Sequence, residues 1–170
     1  ESFFFRDKVP FQLFSDVMLP KIMEARAATK SLKIWCAAAS SGQEPYSLAM
    51  LIKDVPELAD WRIEILGTDI SSAILEKAKS GMYSQFEVQR GLPVNLLMKY
   101  FRQNGEFWQI DSSIRSMVTY KQFNLLDDFR NIGRYDIVFC RNVLIYFDGE
   151  TKTKVLEKIS KIMPLDGYLI

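Results

Sequence analysis

The sequence predicts an α/β domain built on a largely parallel sheet. Two observations carry that prediction. Short apolar strands alternate with longer stretches of helical periodicity, the signature of βαβ units. The polar and small residues that stand out fall just after successive strands, where open α/β sheets bind their ligands. At 170 residues, 48% hydrophobic and 25% charged, the chain has the size and composition of one globular domain. Disordered and collagen-like structures are excluded on the same counts.

Each element follows from its residues. Residues 11–29 place Phe14, Val17, Met18, Ile22 and Met23 at helical spacing, with Pro20 expected to break or kink the helix. Residues 32–36 form a strand that runs into a small-residue loop, 37–42. A helix starts near Glu44 and Pro45, proline being well tolerated in a first turn, and continues through Leu48, Met50, Leu51 and Ile52. Residues 61–67 alternate as a second strand, after which Asp69 or Ser71 caps a helix carrying Ile74, Leu75 and Ala78, stopped at Gly81. Residues 82–117 break the rhythm and are expected to be a small inserted β-subdomain, with a helix over 94–101 and a hairpin strand over 106–110. Strands resume at 118–123 and 135–140, a helix covers 151–163, and another strand begins at Gly167.

Composition narrows the chemistry. There is no histidine, so no Ser-His-Asp triad, Cys-His pair or imidazole proton shuttle is available within the chain. The two cysteines, Cys36 and Cys140, are too few for a disulfide framework or a structural zinc site, and no metal is expected. A reducing, cytoplasmic setting fits them. A formal net charge of +1 argues against nucleic acid as a partner. No uncharged apolar stretch approaches the ~20 residues needed to span a bilayer, so membrane insertion is not expected. The chain opens on Glu1 and stops inside a strand, which predicts truncation at both ends.

Four strand ends carry candidate site residues: the loop 37–42 after the first, Asp69 after the second, Asn124 after the third, and Arg141-Asn142 after the fourth. Each has two readings. The loop either admits a ligand close to backbone N–H groups or is a tight strand-to-helix turn. Asp69 either accepts hydrogen bonds from a ribose or caps a helix. Glu44 either meets a cationic or hydroxyl group or complements a helix dipole. The loop lacks G-x-G-x-x-G, which disfavours a nicotinamide dehydrogenase. The terminal run Phe3-Phe4-Phe5 is explained by docking; Arg6 beside it is not.

The strings ESFFFRD, WCAAASSGQEPYSLAM, LGTDIS, KSGMYS, FNLLDD and YDIVFCRNVLIYFD resemble the chemotaxis receptor glutamate methyltransferases, the CheR-type family, from Ser2 to Ile170. The resemblance implies a Rossmann-like, S-adenosylmethionine-dependent methyltransferase sheet over 1–170, with the insertion at about 82–117. The family's N-terminal helical domain is expected to be absent from these residues. The implied activity is transfer of a methyl group from S-adenosylmethionine, leaving S-adenosylhomocysteine, to glutamate side chains on the cytoplasmic helices of chemoreceptors. Implied cofactor-binding residues are Ser2, Arg6, Ala38, Glu44, Asp69 at the ribose, Asn124 and Leu125 beside the adenine, and Cys140, Arg141 and Asn142. Arg6 and Tyr146 match family residues close to the methyl-transfer centre. The compact insertion, with one glycine at Gly105, favours a member that docks without a receptor pentapeptide, acting as a monomer. The alternative is a non-catalytic module that binds S-adenosylmethionine or S-adenosylhomocysteine and docks a partner; retention of Arg6 and Tyr146 argues against it.

Overall fold

A computed structural model describes residues 1–170. After an N-terminal strap, residues 1–8, the chain forms α1 (Val9–Leu13), a π-helical turn (Phe14–Met18) and α2 (Leu19–Ala25) without a break. Pro20, expected to interrupt this helix, lies in the first turn of α2. A proline has no N–H to donate, and the preceding turn widens so that the Leu19 N–H donates to the Phe14 carbonyl five residues back. The chain continues through β1 (Ser31–Cys36), α3 (Gln43–Lys53), β2 (Arg62–Asp69) and α4 (Ser72–Ser80). Ser71 caps α4 by accepting the Ile74 N–H, and Gly81 ends the helix at φ 64°.

After α4 come β3 (Met82–Ser84), α5 (Gln85–Gln89), α6 (Val94–Tyr100), β4 (Phe101–Asn104), β5 (Phe107–Ile110) and α7 (Ser112–Arg115). Then come β6 (Val118–Gln122), β7 (Ile137–Phe139), a 3-10 turn (Leu144–Tyr146), α8 (Gly149–Lys161) and β8 (Tyr168–Leu169). Strands β3, β5 and β4 form a separate antiparallel sheet. The other five run parallel in the order β6-β2-β1-β7-β8.

Both faces of the parallel sheet are covered, which is why β1 and β7 read as nearly continuous apolar runs. Alternation sends Leu32, Ile34, Cys36, Ile137 and Phe139 to one face, into a core of 32 buried residues. Trp35, Val138 and Cys140 face the other way, into a core of 10 that α8 closes with Val155 and Ile159. Trp35 is fully buried, and its indole N–H donates to Thr68 Oγ1 at 3.0 Å, so its one polar atom is satisfied. The antiparallel sheet has no core of its own. Tyr83, Phe101 and Ile110 belong to the larger core, and Phe4 of the strap packs edge-on against Tyr83 and Phe101 at 5.0 and 5.7 Å between ring centroids.

Candidate functional site

The order β6-β2-β1-β7-β8 means that the chain builds outward on one side of β1 and then crosses to the other. Loops leaving β1 and β7 diverge at this reversal and open a crevice beyond their carboxyl ends. A cleft of about 340 Å³ lies there. It is of the size that small-molecule sites take. Of the residues singled out in the sequence, Ser2, Arg6, Ala38, Glu44, Asp69, Arg141, Asn142 and Tyr146 all line it.

Asp69 ends β2 with its carboxylate toward the cleft. Its Oδ2 accepts the Ser40 N–H at 3.0 Å and its Oδ1 the Ser71 N–H at 3.1 Å. Each oxygen keeps a lone pair for a further donor. Ser40 sits at φ 52° and Asn142 at φ 60°, left-handed conformations that cost a non-glycine residue energy and gather at functional sites. Beneath the Ser40 loop, Gly42 is held at φ 96° against Tyr120 and Tyr83; a Cβ there would stand 2.6 Å from the Tyr120 hydroxyl.

Glu44 stands in the first turn of α3, its side chain only 16% exposed. Burial pushes its carboxyl up to about 7, against the downward pull of Arg141. Arg141, 8% exposed, donates from Nη1 to Glu44 Oε2 and from Nη2 to both the Arg6 carbonyl and Asp7 Oδ2, each at 2.8 Å. Cys36 lies beneath this pair, its thiol pushed well up by burial and by Glu44. Arg6 differs from Arg141. It is half-buried, its guanidinium bonds only the Glu1 carbonyl, and no carboxylate pairs with it. Tyr146, on the 3-10 turn, is 78% exposed at the same cleft.

Three predicted residues lie outside the cleft lining. Leu125 and Cys140 are buried in the smaller core with Trp35. The Asn124 side chain accepts the Leu126 N–H at 2.9 Å, closing its own turn beside Asp69, whose carbonyl accepts the Phe123 N–H. Conversely, Ile70, Gln43 and Ile145 line the cleft without having been singled out, while Ser40 lines it within the loop 37–42 that was. Ile70 was open to notice: an apolar residue directly after the acid at a strand end, 65% exposed, has no core to explain it.

A parallel sheet with small residues after its first strand and an acid after its second is the arrangement of α/β proteins that bind adenosine-containing cofactors. Residues 1–170 match the family described as CheR methyltransferase, SAM binding domain, and the chain belongs to that family. It is 40% identical to chemotaxis protein methyltransferase 1 of Pseudomonas aeruginosa, over 99% of this chain and 63% of that one. With the chemotaxis protein methyltransferase of Vibrio parahaemolyticus it shares 37% identity, over 100% of this chain and 62% of that one. The chain thus spans less than two thirds of the length of the curated relatives it matches. Among solved structures, the glycopeptide N-methyltransferase MtfA complexed with S-adenosylmethionine has a TM-score of 0.52 at 13% identity, covering 88% of this chain and 51% of that one, a likeness of fold. No helix is long and apolar enough to cross a membrane.

Proposed function

We propose that the chain transfers a methyl group from S-adenosylmethionine to glutamate side-chain carboxylates on chemoreceptor cytoplasmic helices. The observation that carries this is Arg6: a guanidinium with no carboxylate partner, bonded to the Glu1 carbonyl and lying over the Phe3 ring, on a cleft whose other cation, Arg141, is already paired with carboxylates. The donor set suits the cofactor. Asp69 retains lone pairs for two ribose hydroxyls, Ile70 offers an apolar surface to adenine, and ionised Glu44 suits the ammonium of the methionine part. Ser2, Ala38 and Asn142 complete the walls.

When bound, the sulfonium supplies an electrophilic methyl carbon. An acceptor glutamate is ionised near neutrality, with an unperturbed pKa of ~4.3, so no base is needed and the missing histidine is no obstacle. Arg6 orients the acceptor carboxylate by a charge-assisted bond, and Tyr146 bounds its approach with ring and hydroxyl. Their work is alignment and exclusion of water. The β4–β5 hairpin, closed over only Gly105 and Glu106, suits docking of the receptor without a pentapeptide-binding loop.

Labelled S-adenosylmethionine, a purified receptor cytoplasmic fragment and its glutamate-to-alanine variants test this reading. Label should enter base-labile esters and vanish from the alanine variants. Arg6→Ala should lower transfer by about 100-fold while S-adenosylhomocysteine affinity stays within about threefold, the pattern of an interaction made with the acceptor alone. Label that persists without the glutamates, or equal losses of transfer and binding, overturns it.

A further inference from the structure

Arg141 was expected among the cofactor's ligands, yet its guanidinium is turned to the protein. It gathers acceptors from two separate segments: Glu44 on α3, and the Arg6 carbonyl and Asp7 carboxylate on the strap. Its side chain lies over the Phe11 ring, 5.5 Å from the centroid. We propose that Arg141 is a positioning residue that ties the strap to the first turn of α3, seating Arg6 on the cleft without itself holding the cofactor. This rests on the methyl-transfer reading for the role of Arg6, though not for the clamp.

The strap needs such a clamp. Phe5, Asp7 and Lys8 have φ of 53°, 69° and 50°, so Arg6 is flanked on both sides by left-handed residues. Backbone of this kind persists only where its surroundings over-determine it. Before Arg6 the anchors are plain. Phe4 is fully buried, its carbonyl lies where a Cβ on Gly91 would overlap it, and the Phe5 N–H donates to Ser47 Oγ at 3.1 Å. After Arg6, the bonds from Arg141 to its carbonyl and to Asp7 hold the turn that leads to α1. The main chain of Arg6 is thereby fixed while its guanidinium, bonded only to the Glu1 carbonyl, has no carboxylate partner. A planar fork with donors on two nitrogens can hold α3 and the strap together; a lysine, a single point of charge, cannot span both.

Two variants test the clamp: Arg141→Lys, and Asp7→Asn, which alters an exposed carboxylate and leaves Glu44 untouched. Hydrogen exchange of the amides at residues 3–8 should accelerate by about tenfold or more in Arg141→Lys, and less in Asp7→Asn. S-adenosylhomocysteine affinity should stay within about threefold in both. The kcat for methyl transfer should fall, and Arg141→Lys should add less than about twofold to the loss already caused by Arg6→Ala, because both act through one side chain. Unchanged strap exchange with about tenfold weaker S-adenosylhomocysteine binding makes Arg141 a cofactor ligand and overturns the proposal. A kcat loss that multiplies fully with that of Arg6→Ala overturns it too. Faster strap exchange with intact binding, in a chain that transfers no methyl group, upholds the clamp and removes only the methyl-transfer reading.

Discussion

Asp69 Oδ2 accepts the Ser40 N–H at 3.0 Å, so the acid that ends β2 also holds the loop that leaves β1. The carboxylate proposed to bind the ribose and the backbone wall beside it are therefore one unit. Asp69→Ala removes the proposed ribose acceptor together with the partner of a left-handed residue. Calorimetry should show S-adenosylhomocysteine affinity falling by about 100-fold, and denaturant unfolding should show a loss of about 1–2 kcal/mol. Unchanged affinity would place the ribose elsewhere.

Glu44 makes the site sensitive to pH. Its carboxyl, ordinarily at 4.5, is raised to about 7 by burial, with Arg141, Cys36 and Arg6 as the groups that face it. Between these two values the folded chain holds a proton that the unfolded chain has released. Its contribution to stability therefore falls as pH rises through that window and is constant above it. The ammonium of the cofactor favours the charged carboxylate, so binding at about pH 6.5 should release a proton and tighten toward about pH 7.5. Calorimetry of S-adenosylhomocysteine in two buffers of different ionisation enthalpy measures that proton. Glu44→Gln should abolish the release.

Gly42 tests the packing beneath the loop. Gly42→Ala forces a side chain into a left-handed conformation and against the Tyr120 hydroxyl, at a cost of about 2–4 kcal/mol read from urea unfolding. That hydroxyl is buried and makes no well-formed hydrogen bond; the Tyr46 hydroxyl, which donates to the Ala78 carbonyl, is the polar side chain that faces it. Tyr120→Phe should therefore be neutral or stabilise by up to about 1 kcal/mol. A large loss in Tyr120→Phe would reveal a partner for the hydroxyl.

At the opposite rim, Arg26 bonds Asp136 through Nε at 3.1 Å and Asp166 through Nη1 and Nη2 at 2.7 and 2.6 Å. Asp136 is 15% exposed and also accepts the Lys33 N–H, so it pins β1 to the start of β7. Arg26→Ala leaves that carboxylate without its cation. Thermal unfolding should register a loss of about 1–3 kcal/mol, with S-adenosylhomocysteine binding unaffected at this distance from the cleft.

Much of this architecture was legible before folding. The strands over 118–122 and 137–139 and the helices from Gln43 and Gly149 follow from periodicity and end signals within a few residues of chain. The short helix α5 was equally open to reading, since Ser84 and Glu87 form a capping box at the standard spacing. Pro20 misled because a π turn absorbs the missing donor, a solution stabilised by the buried Phe14, Met18 and Ile22 and not by local propensity. Asn124, Leu125 and Cys140 stand at strand ends as read, but side-chain direction took them into a local turn or the core.

The sequence by itself determined the elements, the parallel class and the rim at which the polar residues gather, because each depends on neighbours a few positions apart. Only the tertiary structure decided what those residues do to one another. Arg141 meets Glu44 across 97 positions and the Arg6 carbonyl across 135. No periodicity encodes such pairs. They exist because strand order puts β7 beside β1, and because a buried guanidinium must find its acceptors wherever the fold delivers them. That demand ties up Arg141 and leaves Arg6 at the cleft without a carboxylate partner.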